Sequence, residues 1–133
     1  MTSSSDDLVR NALGKFSQAR ESVYRTFGAR SAADVVSAVI EGRMPREGEN
    51  ADGSKYYVHG VGYTVILKGE GEVHLDGGSG DDVFSVYDVL NYFESLNLSG
   101  TPTLGEIRAA LDNMAAAGLV EVAKNRFVLL RAR

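Results

Sequence analysis

Cysteine is absent from the 133 residues. That removes disulfides, thiolate metal sites, thiol nucleophiles and thiol redox motifs together. Histidine is scarce. With two His and no Cys, a structural zinc site is nearly excluded. No apolar run approaches the roughly 18 residues of a membrane span. Met1 to Asp7 is polar and acidic, unlike a signal peptide. These absences predict a soluble, cytoplasmic protein with no cofactor. Basic charge is also short: 14 Lys and Arg stand against 18 Asp and Glu, a formal net charge of −4. Generic nucleic-acid binding needs a basic surface, so the balance argues against it. What is present is globular: 44% hydrophobic and 24% charged. A chain of this length buries one core and is cramped for two, so residues 1–133 read as one domain.

The charges are unevenly spread. Segments 1–49, 50–97 and 98–133 carry net charges of 0, −6 and +2. In the middle segment only Lys55 and Lys68 face Asp52, Glu70, Glu72, Asp76, Asp81, Asp82, Asp88 and Glu94. Charge runs often do no more than solvate a face. The sharper reading is a surface meant to meet something basic.

Helical spacing of Leu8, Ala12, Phe16, Ala19, Val23 and Phe27, behind Ser4 and Asp7, predicts an amphipathic helix ended by Gly28. Ser31 with Asp34 opens a second, shorter helix through Val35, Val36, Val39 and Ile40. Residues 45–54 read as a loop. Tyr57, His59, Val61, Tyr63, Val65 and Leu67 all sit at odd positions, which predicts a strand over 56–68 with these residues on one face. Gly69-Glu70-Gly71 then reads as a three-residue hairpin loop. That loop sets Lys68 opposite Glu72, Leu67 opposite Val73 and Val65 opposite Leu75, with Val65, Leu67, Val73 and Leu75 sharing a face. Asp81 or Asp82 caps a helix from about Val83 to Leu96. Thr103 and Glu106 form a capping box for the next, along Leu104, Ile107, Leu111 and Met114. A second hairpin turns at Ala123-Lys124-Asn125-Arg126. The predicted fold is α+β, with two N-terminal helices on a small antiparallel sheet, then two helices and a C-terminal hairpin.

Few residues carry chemistry. Gly60-Val61-Gly62 and Gly69-Glu70-Gly71 lack the Gly-Lys-Ser/Thr of a phosphate loop. Gly60 and Gly62 instead leave one strand face bare for a close neighbour. His59 is expected on the apolar side of its strand, hydrogen-bonded in place, with no nucleophile marked beside it. His74 and Asp76 share a strand face, yet two ligands on one strand are too few for a metal. The C-terminal third has the outline of a winged helix, but its second helix offers one basic side chain, Arg108, so we read that outline as scaffold.

An ordered series of motifs covers more of the chain. Gly42-Arg43-Met44-Pro45-Arg46-Glu47-Gly48 is followed by Tyr57-Val58-His59-Gly60-Val61-Gly62-Tyr63, then Val73-His74-Leu75-Asp76, then Asp82-Val83-Phe84 before a helix. The series resembles a family of small uncharacterised bacterial proteins associated with polymorphic toxin systems and regarded as immunity proteins. The pattern of that family is G-x-x-P-R-x-G, Y-x-F-H-G-x-G and V-D-F-D. His74 stands here where its first Asp would be, and the residue after the second glycine also departs. The resemblance implies a non-enzymatic protein that binds and neutralises a partner toxin. An acidic surface would speed association with a basic toxin domain. The expected partner-binding residues are Glu70, Glu72, Asp76, Asp81 and Asp82, with Arg46, Tyr57 and His59 from the motif segments. No catalytic residue, metal ligand, nucleic-acid partner or membrane partner is expected. Two other classes stay open: a small transcription-associated winged-helix protein, and an enzyme using His59 with Asp76 or Asp82.

Overall fold

Helix α1 spans Ser4–Phe27 and carries Asp6 and Asp7 in its first turn, where the helix dipole favours acids. Val9, Ala12, Phe16, Ala19 and Val23 are buried. Leu8, expected on that stripe, is 37% exposed and Val9 takes its place. Gly28, at φ +63°, ends the helix. Helix α2, Ala32–Ile40, begins at Ser31, whose side chain accepts from the Asp34 amide as expected. Helix α4, Leu104–Ala116, opens on the expected Thr103/Glu106 capping box. Helix α3, Val86–Ser95, differs. Its capping box is Ser85 with Asp88, and Val83–Phe84 before it is a strand. A cap at Asp81 or Asp82 is therefore displaced, because Val83 and Phe84 pair with Val128 and Phe127. This computed structural model describes residues 4–76, 83–123 and 126–129, so Asp81 and Asp82 lie outside it.

The strands are β1 (Glu47–Glu49), β2 (Lys55–His59), β3 (Gly62–Leu67), β4 (Gly71–Asp76), β5 (Val83–Phe84), β6 (Val120–Ala123) and β7 (Arg126–Leu129). They form one antiparallel sheet in the order β1-β2-β3-β4-β5-β7-β6. The fold is α+β, as the sequence predicts. Three local expectations are corrected. First, the strand expected over 56–68 is two strands, joined by a two-residue turn at Gly60-Val61 with His59 paired to Gly62. Gly60 has φ +52°, which suits the first central position of a type II′ turn. Second, the β3–β4 register is shifted by two: Leu67 pairs with Gly71, Val65 with Val73 and Tyr63 with Leu75. The loop stays three residues long but is Lys68-Gly69-Glu70, with Gly69 at φ +73° and the Glu70 amide donating to the Leu67 carbonyl. Gly69 thus occupies the third position of a four-residue turn, where type II demands a positive φ. A shift of two keeps the faces, so Val65, Leu67, Val73 and Leu75 are all buried as expected. It removes the Lys68–Glu72 pairing, since Glu72 faces Ile66. Third, β1 lies inside the segment read as loop. Nothing in Glu-Gly-Glu signals a strand, and it is held by pairing with β2.

The loop between β1 and β2 is tied to α1. Ser22 donates to Asp52 at 3.0 Å, Thr26 to Asn50 at 2.7 Å, and the Asn50 amide to the Ser54 carbonyl at 2.7 Å. The Ser54 hydroxyl and amide hold the Asp52 carboxyl below the usual range. The core lies between the helices and one sheet face, made by Tyr56, Val58, Tyr63, Val65, Leu67, Val73, Leu75, Phe84 and Phe127. Phe16 of α1 meets Phe84 and Tyr92 edge-on at 5.7 and 5.9 Å, and Phe84 stacks on Phe127.

Candidate functional site

A two-residue turn pairs residues of opposite parity. Even positions of β2 (Tyr56, Val58) therefore share the inner face with odd positions of β3 (Tyr63, Val65, Leu67). Tyr57 and His59 consequently point to the outer face, against the expectation that both share the face of Val65 and Leu67. The outer face reads as three cross-strand rows. One is Glu49, Lys55, Ile66 and Glu72. The next is Glu47, Tyr57, Thr64 and His74. The third is His59, Gly62, Asp76, Val83, Val128 and Glu121.

Gly62 has no side chain for a packing reason. A Cβ there would lie 2.4 Å from the Leu75 carbonyl oxygen. Beside it lies a cleft of about 310 Å³ between His59, the Gly60-Val61-Gly62 turn, His74 and Asp76. Helix α3 runs beside β4, where Ser95 Oγ accepts from the Glu72 amide at 2.8 Å. Its Asp88 and Asn91 also line the cleft.

Thr64, 9% exposed, joins the two histidines. His59 Nε2 lies 2.8 Å from its Oγ1, and His74 Nδ1 lies 2.9 Å from the same oxygen. His74 Nε2 faces Glu72 Oε2 at 3.5 Å. A hydroxyl has one proton to donate, so the bridge couples the tautomers of the two rings. Asp88 accepts from the Ser85 amide at 2.7 Å. Burial pushes its carboxyl above the usual range, against the opposing pull of the Ser85 hydrogen bonds and of His74 and His59. Chemically, the site is a hydrogen-bonding surface flanked by the carboxyl groups of Glu72, Asp76 and Asp88. The dyad of His59 with Asp76 is not formed, because His59 faces Thr64 and Asp76 pairs with Arg126. Among the described residues no cluster of three or more His, Asp or Glu side chains is arranged to hold a metal ion.

The other expected partner-binding residues are dispersed. Glu70 pairs with Lys15 of α1, and that bond raises the lysine's affinity for its proton. Glu72 and Asp76 sit on the outer face, the first beside His74 and the second against Arg126. Two of these carboxylates are thus offset from outside the acidic segment, by Lys15 and Arg126. Arg46 is exposed before β1, and its carbonyl accepts from the Val58 amide at 2.6 Å. Tyr57 is 37% exposed between Glu47 and Thr64. Asp81 and Asp82 fall outside the described residues. The structure adds Glu47, Glu49, Thr64, Asp88 and Asn91. Recognising Gly60-Val61 as a turn, and so the inverted parity before it, is the signal that would have brought Thr64 to His59.

The model of a protein family described as a domain of unknown function, DUF6896, matches residues 8–128. No curated protein and no solved structure matches the chain. No helix among the described residues is long and apolar enough to cross a membrane. With almost its whole length inside that match, the chain belongs to the DUF6896 family.

Proposed function

We propose that this chain is a protein-binding module, an immunity protein that occludes a basic surface of a partner bacterial toxin with the outer face of its sheet. One observation carries the reading. The buried apolar strand residues face the helices, while the other sheet face presents, among the described residues, Glu47, Glu49 and Glu72 near an exposed Tyr57 and Glu121 at the distant β6 edge, with Lys55 and Arg126 as basic groups. Acidic groups on a firm sheet steer a basic partner, and a tyrosine among them supplies contact area at small entropic cost. Because Glu70 and Asp76 are paired within the chain, the weight of the docking surface lies on Glu47, Glu49 and Glu72 around Tyr57 and His59. The motif resemblance supports the same class.

The test uses the toxin-like product of the adjacent gene. Replacing Glu47, Glu49 and Glu72 with Gln should slow association at low salt and lose that effect at high salt. Tyr57→Ala should speed dissociation and weaken protection of cells expressing the toxin. Unchanged kinetics and full protection in both variants would overturn the reading.

A further inference from the structure

A second cleft, of about 450 Å³, opens where the first turns of α3 and α4 meet, and none of its described lining residues is shared with the first. Ser85, Val86 and Tyr87 form one wall, and Leu104, Gly105 and Arg108 the other. Tyr87 is 63% and Leu104 36% exposed, high values for large apolar side chains. Gly105 is the telling residue. Its backbone is outside the left-handed region, and a Cβ there would meet nothing within 4 Å. Neither conformation nor close packing calls for glycine, and glycine inside a helix is destabilising relative to alanine. What the missing side chain leaves is open space in the cleft wall. Arg108 lies one turn further on the same wall. Its guanidinium carbon is 6.0 Å from the centre of the Phe127 ring, which orients it. It forms no ion pair among the described residues.

We propose that this cleft binds a small organic anion: an aromatic or branched aliphatic body against Val86, Tyr87 and Leu104, with its carboxylate on Arg108. The volume suits a ligand of that size, and one positioned cation in a mostly apolar cleft is how such sites orient a carboxylate. The inference stands apart from the docking face and does not depend on it.

The test titrates the full ¹⁵N-labelled chain with 3-phenylpropanoate and, separately, with its neutral amide. Saturable shifts at Val86, Tyr87, Gly105 and Arg108 are expected for the acid, with affinity about tenfold weaker for the amide, which lacks the charge-assisted bond. Arg108→Met should abolish that difference while sparing the amide's affinity. Gly105→Met should fill the cleft and prevent binding of both, while its melting temperature stays at or above that of the parent. No saturable shift at low-millimolar ligand, shifts centred elsewhere, or equal affinity for acid and amide would each overturn the proposal.

Discussion

Thr64 has two imidazoles to satisfy and one proton to do it with. It can donate to only one ring nitrogen, so at least one of the two rings must present an N–H to it. Thr64→Val keeps the shape and removes both hydrogen bonds; with His59 exposed and His74 partly so, the loss is about 0.5–1.5 kcal/mol per bond. Denaturant unfolding measures the loss, and imidazole ¹⁵N shifts should show both tautomer preferences relaxing. Position 67 follows a simpler rule: Leu67 is 3% exposed, and Leu67→Ala should cost about 2–5 kcal/mol. An unchanged melt would remove it from the core. Asp88 and Asp52 respond to pH with opposite signs. The folded Asp88 holds its proton more tightly than the unfolded chain does, so its contribution to stability falls as pH rises from about 4 through its raised folded value. Asp88→Asn should therefore gain on the parent as pH rises through that window, whatever the capping loss at fixed pH. Asp52 is held low by Ser54, so its contribution is present above about 4 and is lost as pH falls through its lowered folded value. Asp52→Asn should lose its disadvantage on acidification. Stability curves of the two variants against pH check both signs.

At the scale of elements, signals that act within one turn of helix were legible and signals set by pairing partners were not. Ser31 and the Thr103/Glu106 box announce their helices because a cap is satisfied by neighbours three residues away. The odd-position run from Tyr57 to Leu67 misled because Tyr56 and Val58 are apolar as well, so β2 alone fits either face. Only the pairing of His59 with Gly62 decides, and it carries Tyr57 and His59 outward. The β3–β4 loop misled more narrowly. Two loops of equal length share Gly69 and Glu70, and moving the loop by one residue moves the register by two. Lys68 and Glu72 should therefore behave independently: in a double-mutant cycle their effects should add within about 0.3–0.5 kcal/mol, and a coupling near 1 kcal/mol would restore the cross-strand pair. Helix α4 carries a single basic residue and two capping-box partners at its start. It should not hold duplex DNA. A gel-shift titration with tight, steeply salt-dependent binding would reverse that expectation.

Across the whole molecule, the α+β architecture was readable from the order of periodic segments. The candidate site was readable only in its ingredients. His59, His74 and Asp76 stood out in the sequence, but the hydroxyl that joins the two histidines and the α3 wall beside them come from strands and helices brought together by topology. The absence of cysteine leads to a further expectation: treatment with a chelator should leave the melting temperature unchanged, and a large drop would revive His74 and Asp76 as ligands. The strand order has a consequence for how the chain is made. β1 to β4 are neighbours in both sequence and sheet, so this meander can form as soon as it leaves the ribosome, with α1 and α2 already available to cover it. β5 must wait through two helices for β7, the partner that stacks Phe127 on Phe84. Until then Phe84, which meets Phe16 on one side, lacks its stacking partner. Nascent chains stalled before residue 126 should present a sticky aromatic patch to chaperones, and release from them should coincide with emergence of the C-terminal hairpin.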